Sequence, residues 1–73
     1  MHIGQKIKEV MDERHASVVY VAKQLGCERT NVYTIFVRED INTRLLQQLS
    51  RTLNYDFFSE LSKETFGNKP TIH

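Results

Sequence analysis

Val18-Val19-Tyr20-Val21-Ala22-Lys23-Gln24-Leu25-Gly26-Cys27-Glu28-Arg29-Thr30-Asn31-Val32-Tyr33-Thr34-Ile35-Phe36-Val37 is the stretch that decides how this chain folds. Its second half is the clearer. Val32, Ile35 and Phe36 recur at helical spacing and form one apolar face, while Arg29, Thr30, Tyr33, Thr34 and Val37 fall elsewhere on the wheel. The first half is ambiguous. Val18 to Val21 is β-branched and aromatic, which favours a strand on propensity alone. It reads as helix because Val21, Ala22 and Leu25 continue at helical spacing. No second strand lies nearby to pair with it, and a lone strand leaves its backbone polar groups unpaired. Ser17 is placed to cap this helix, and Gly26 suits a left-handed helix end. Two short helices joined by a tight turn must approach closely, which calls for a small side chain such as Ala22 at the crossing. Burial of Val32, Ile35 and Phe36 against the first helix leaves the other side of the second free.

Outward from this stretch the pattern stays helical. Ile3, Ile7, Val10 and Met11 make one stripe of a first helix over residues 3–14, opposite Lys6, Lys8, Glu9, Asp12 and Glu13. After a polar break at Arg38-Glu39-Asp40, Asn42 or Thr43 can cap a fourth helix with Leu45, Leu46, Leu49 and Leu53 as its core stripe and Ile41 just before it. Asn54-Tyr55 ends it. Asp56 can cap a fifth carrying Phe57, Phe58, Leu61 and Phe66. Gly67 and Pro70 forbid continuation, so residues 67–73 read as a mobile tail on a domain of residues 1–66. The expected fold class is all-α, five short helices.

At 73 residues the chain is one domain at most. A chain so short buries only roughly 60% of its unfolded surface, which suits a helical bundle and not a walled substrate cavity. The net charge of +1 gives no general affinity for polyanions, so a local cluster such as Arg29, Arg38 and Arg44 must supply one. One cysteine, Cys27, excludes a disulfide framework within the monomer. No apolar run reaches the ~20 residues of a membrane span, and Met1-His2-Ile3-Gly4 lacks a signal-peptide layout. The expected compartment is the cytoplasm.

Three segments in order carry a resemblance. Ile3-Gly4-Gln5-Lys6-Ile7-Lys8 is similar to the opening helix of the phage-repressor and Cro-type helix-turn-helix domains, the XRE family. Residues 17–36 are similar to its helix-turn-helix. Leu45-Leu46-Gln47-Gln48-Leu49-Ser50-Arg51-Thr52-Leu53-Asn54 is similar to the helix before its closing turn. The resemblance covers residues 3–61 and implies a lambda-repressor-like domain that binds double-stranded DNA, regulates transcription as a repressor or activator, and works as a homodimer. The helix from about 28 to 37 would enter the major groove. Carried over by position, the base-reading residues fall on Arg29, Thr30, Tyr33 and Thr34, and the backbone contacts on Ser17, Asn31, Arg38, Thr43 and Arg44. A guanidinium at the position of Arg29 can bond guanine O6 and N7 together. Glu28 can favour the helix dipole or accept from cytosine. Amides near Ser17 and Thr43 can bind phosphate. Two features depart from the family pattern. Val18 stands where the family often has a phosphate-touching glutamine, and Phe36-Val37-Arg38 stands where it often has Glu-x-Gly.

Other readings compete residue by residue. Arg29 can be a solvated surface charge, Arg38 and Arg44 can pair with Glu39 or Asp40, and Tyr20 and Tyr33 can be exposed rings. Val18, Val19 and Tyr20 are more apolar than a solvent face needs and can pack on DNA sugars, on the tail or on a protein partner. The Tyr55, Phe57 and Phe58 group reads as core or as a dimer seam. Cys27 reads as a small half-buried hydrophobe. His2, His15 and His73 show no ligand spacing with each other or with Cys27, so no metal or other cofactor is expected. No set of catalytic side chains is evident, and no enzymatic activity is expected. The alternative to DNA binding is a protein-interaction module on the same fold, such as an antitoxin or adaptor, using Val18, Val19 and Tyr20 or the last helix.

Overall fold

The computed structural model describes residues 1–67, which form five α-helices and no strand. They are α1 (Ile3–Glu13), α2 (Val18–Leu25), α3 (Arg29–Phe36), α4 (Thr43–Leu53) and α5 (Phe57–Phe66). Four of the five start on a side-chain cap. His2 Nδ1 accepts from the amide of Gln5 (3.2 Å), Ser17 Oγ from Tyr20 (3.0 Å), Asn42 Oδ1 from Leu45 (2.8 Å) and Asp56 Oδ1 from Ser59 (3.0 Å). Asn42, not Thr43, is therefore the cap of α4, and Thr43 is its first helical residue. The strand-prone Val18 to Val21 segment is helical, with the Ser17 cap at its start and Val21 and Ala22 buried. The helix expected over 28–37 is one residue shorter at each end, because Glu28 is extended and Val37 is the C-cap. Among the described residues no helix is long and apolar enough to cross a membrane. Residues 68–73, most of the expected tail, lie outside the described residues.

Three of the five helix ends, those of α1, α2 and α4, follow one device. After α1 the amide of Ala16 donates to Met11 O (2.9 Å) and that of His15 to Asp12 O (3.2 Å). After α2 Cys27 donates to Ala22 O (3.0 Å) and Gly26 to Lys23 O (3.2 Å), and after α4 Tyr55 donates to Ser50 O (3.0 Å). These paired bonds require a left-handed residue at each end. The residues are His15 (φ 56°), Gly26 (φ 70°) and Asn54 (φ 51°). Glycine and asparagine adopt this conformation readily, whereas a histidine is crowded in it. His15→Gly is expected to raise stability by ~0.5–1 kcal/mol and the melting temperature by roughly 2–8 °C in a thermal unfolding scan. An unchanged or lower melting temperature would show that the turn is not left-handed.

The core joins Ile3, Ile7, Val10 and Met11 of α1, Val21 and Ala22 of α2, Val32 and Ile35 of α3, and Leu46, Leu49 and Leu53 of α4, with Phe57 closing one end. These side chains include most of each apolar stripe expected for α1 to α4, with Leu25, Phe36 and Leu45 at the half-buried margin. α3 is held between α1 and α2, and both of those rest on α4. Its position also depends on backbone contacts that no periodicity announces. A Cβ on Gly4 would lie 2.3 Å from Ile35 O and 2.5 Å from Phe36 O, so the backbones of α1 and α3 touch there. The amides of Ile3 and Gly4 donate to Glu39 O (3.1 Å) and Arg38 O (2.9 Å). The segment that follows α3 thus satisfies two of the four orphan amides at the start of α1.

α5 is fastened differently. Phe57 is fully buried and its ring lies 4.9 Å from that of Tyr55. The Tyr55 ring faces two cations, Lys6 Nζ at 5.5 Å and the Arg14 guanidinium at 5.6 Å. The Tyr55 hydroxyl donates to the Glu60 carboxylate, which also meets Lys6 Nζ at 3.7 Å. The hydroxyl's bond holds Glu60 below the usual carboxylate range, with Lys6 adding to the effect, and pushes the Tyr55 phenol up. The Met1 ammonium pairs with Glu64. The expected apolar stripe of α5 is only partly internal. Leu61 is half-buried, but Phe58 and Phe66 are exposed, because α5 meets the bundle mainly near its first turn.

Candidate nucleic-acid interface

α3 presents two sides of opposite character. Val32 and Ile35 point into the core, and Phe36 is half-buried. Arg29, Thr30, Tyr33 and Thr34, the four candidate base readers, are all exposed and share the other side. They stand at i, i+1, i+4 and i+5, which places them in two adjacent rows along the helix. No described segment covers them.

Each member has a defined local state. Arg29 is the first residue of α3, next to a Glu28 whose side chain makes no capping bond. A cation at a helix N-terminus opposes the helix dipole, so this position is locally unfavourable. Thr34 Oγ1 donates to Thr30 O (2.9 Å), committing its proton to the helix's own backbone. The Tyr33 ring meets Phe36 edge-on, with centroids 6.0 Å apart, and so stands on a half-buried support.

The backbone-contact candidates are more scattered. Ser17 is the N-cap of α2, where its Oγ accepts a bond and keeps its proton for another partner. Thr43 and Arg44 occupy the first turn of α4, and Arg44, like Arg29, is a cation against a helix dipole. Asn31 and Arg38 are not with the readers. They line a separate groove of about 280 Å³ with Ile35, Leu45 and Gln48, between α3 and α4. Among the described residues no carboxylate lies within ion-pair distance of Arg29, Arg38 or Arg44, so the expected competition from Glu39 and Asp40 is not realised.

Sequence reasoning missed one neighbour of Arg29, Lys23. A groove of about 600 Å³ between α2 and the start of α3 is walled by Val19, Ala22 and Lys23 on one side and by Glu28, Arg29 and Thr30 on the other. Lys23 thus stands across this groove from Arg29. It also missed Val37 as a site residue, although Val37 lies eight residues after Arg29 in the same helical row and is 74% exposed. The i, i+4, i+8 spacing was the available signal.

Charge is unevenly spread. Residues 18–53 hold five Lys or Arg against three Asp or Glu, whereas residues 54–67 hold one against three. The near-neutral total therefore conceals a weakly basic α2–α4 segment. Cys27 is half-buried, as expected of a small hydrophobe in the turn. His2 serves as a cap, His15 as a turn residue, and His73 lies outside the described residues. Among the described residues no group of three potential metal ligands comes together.

Comparison of the chain with models of known families, with characterised proteins and with solved structures yields no match.

Proposed function

We propose that this chain is a sequence-specific DNA-binding domain of the repressor and Cro type, a transcription regulator that lays α3 in the major groove. One observation carries the reading. α3 buries Val32 and Ile35 while exposing Arg29, Thr30, Tyr33 and Thr34, with Arg29 unpaired among the described residues and set against its own helix dipole. A local rule broken without compensation inside the fold is best understood as serving a partner. A negatively charged, guanine-bearing groove would reverse the penalty at Arg29, and phosphate would do the same at Arg44. A single such helix spans only a few base pairs. The proposed working form is a cytoplasmic homodimer on two half-sites about 34 Å apart.

The test is retention of duplex DNA by the full chain across a salt series, starting from a random-sequence pool. If Arg38 and Arg44 of each copy meet phosphates, log affinity should fall against log salt with a slope of about −4 for a dimer. No retention of any duplex at low salt would remove the proposal. A second reading, a protein-interaction module, draws support from Val19 and Tyr20, which are 56% and 46% exposed on α2. Partner binding that persists in an Arg29→Ala variant, together with no DNA retention by either form, would favour it.

A further inference from the structure

The exposed rows of α3 differ along their length. One row is Arg29, Tyr33 and Val37, and the other is Thr30 and Thr34. Arg29 is the only cation in them, and neither row contains an asparagine or glutamine amide. Those amides are the side chains that read adenine bidentately. Toward the far end the polar capacity fades further. The proton of the Thr34 hydroxyl is committed to Thr30 O, which leaves a lone-pair acceptor and a methyl. Tyr33 is 57% exposed and propped against Phe36, and Val37 is the most open of the large apolar side chains among the described residues.

This end of α3 is therefore a largely apolar surface on a helix bracketed along the chain by Arg29 at its start and Arg38 just after its C-cap, for neither of which an ion pair forms among the described residues. The flanking cations match a phosphate backbone, and the apolar end needs an apolar counterpart inside it. In the major groove the only apolar group on a standard base pair is the C5 methyl of thymine. We infer that α3 recognises A·T pairs through thymine methyl groups and not through adenine, with a guanine under Arg29 and methyl-bearing pyrimidines under Tyr33, Thr34 and Val37. The inference rests on the reading of α3 as a major-groove helix and adds the chemistry of its half-site.

Deoxyuridine provides the test, because it removes one methyl and keeps every hydrogen-bonding group of thymine. Duplexes retained from a random pool are resynthesised with each thymine in turn replaced by deoxyuridine, and affinity is measured for the full chain. Loss of about fourfold is expected at each methyl that packs on α3. 5-Methylcytosine opposite guanine at such a step should bind better than cytosine by a similar factor. Val37→Ser, a change at an exposed position, should erase the thymine–uracil difference at one step and leave the others. Equal affinity for thymine and deoxyuridine at every position would overturn the inference while leaving groove binding intact. Failure to retain any duplex would overturn the groove reading itself, and this inference with it.

Discussion

Arg29→Ala is expected to weaken binding to a selected duplex by roughly 5- to 150-fold per half-site, the equivalent of ~1–3 kcal/mol for one bidentate guanine contact. The loss should fall mainly on specificity. Affinity for unrelated duplexes should change little, because in the proposed mode the phosphate contacts fall to separate residues, Arg38 and Arg44. Arg29→Lys should recover only part of the loss, since an ammonium cannot present two parallel donors. The folded domain should tolerate the change well. Arg29 is exposed, makes no ion pair among the described residues and opposes the dipole of α3, so alanine should leave the melting temperature equal or slightly higher. Fluorescence anisotropy with selected and scrambled duplexes, alongside a thermal scan, separates these effects. Unaltered specificity with full stability would place the recognition surface elsewhere.

Gly4→Ala is expected to destabilise the fold by ~2–4 kcal/mol, which lowers the melting temperature by roughly 8–30 °C. In an ordinary helix the same change stabilises by ~0.5–1 kcal/mol, so the sign alone is diagnostic. The reason is backbone against backbone. The added methyl would sit 2.3 Å from Ile35 O, 2.5 Å from Phe36 O and 2.6 Å from Phe36 C, and none of these atoms can swing aside as a side-chain tip would. Relief requires α1 and α3 to separate, which stretches the bonds from Ile3 and Gly4 to the carbonyls of Glu39 and Arg38. Against a typical total stability of ~5–15 kcal/mol, the loss is a large fraction. Gln5→Ala, one residue on and exposed, is the control and should shift the melting temperature little. A higher melting temperature for Gly4→Ala would mean that α1 and α3 do not meet at this point.

These two residues mark how far the sequence can be read. The candidate role of Arg29 comes from the family resemblance, but its exposure follows from its place at the head of a helix whose other side is apolar, a pattern contained within eight residues. The same reasoning picks out the cap at Ser17, the end at Gly26 and the buried sets of α1 to α4, since capping and 3.6-residue periodicity act over a turn or two. It also resolved the strand-prone Val18 to Val21 segment, because burial at helical spacing outweighed a weak local propensity. It could not divide Asn42 from Thr43, as both are chemically fit to cap, and it overestimated how much of α5 faces the bundle. Phe58 and Phe66 are apolar without a covering neighbour.

Five helices, their order and the inward faces of the first four were thus determined by the chain's own local chemistry. Only the tertiary structure decided that Gly4 lies against Ile35 and Phe36, that the carbonyls after α3 close the start of α1, and that Lys6, Arg14, Tyr55 and Glu60 gather to hold α5. It also parted Asn31 from the other residues of α3's polar side and set it in a groove with Arg38 and Gln48. Each of these joins residues far apart in the chain or depends on how one helix rolls against another. Their proximity is created when whole helices dock, and no pattern within a single turn encodes it.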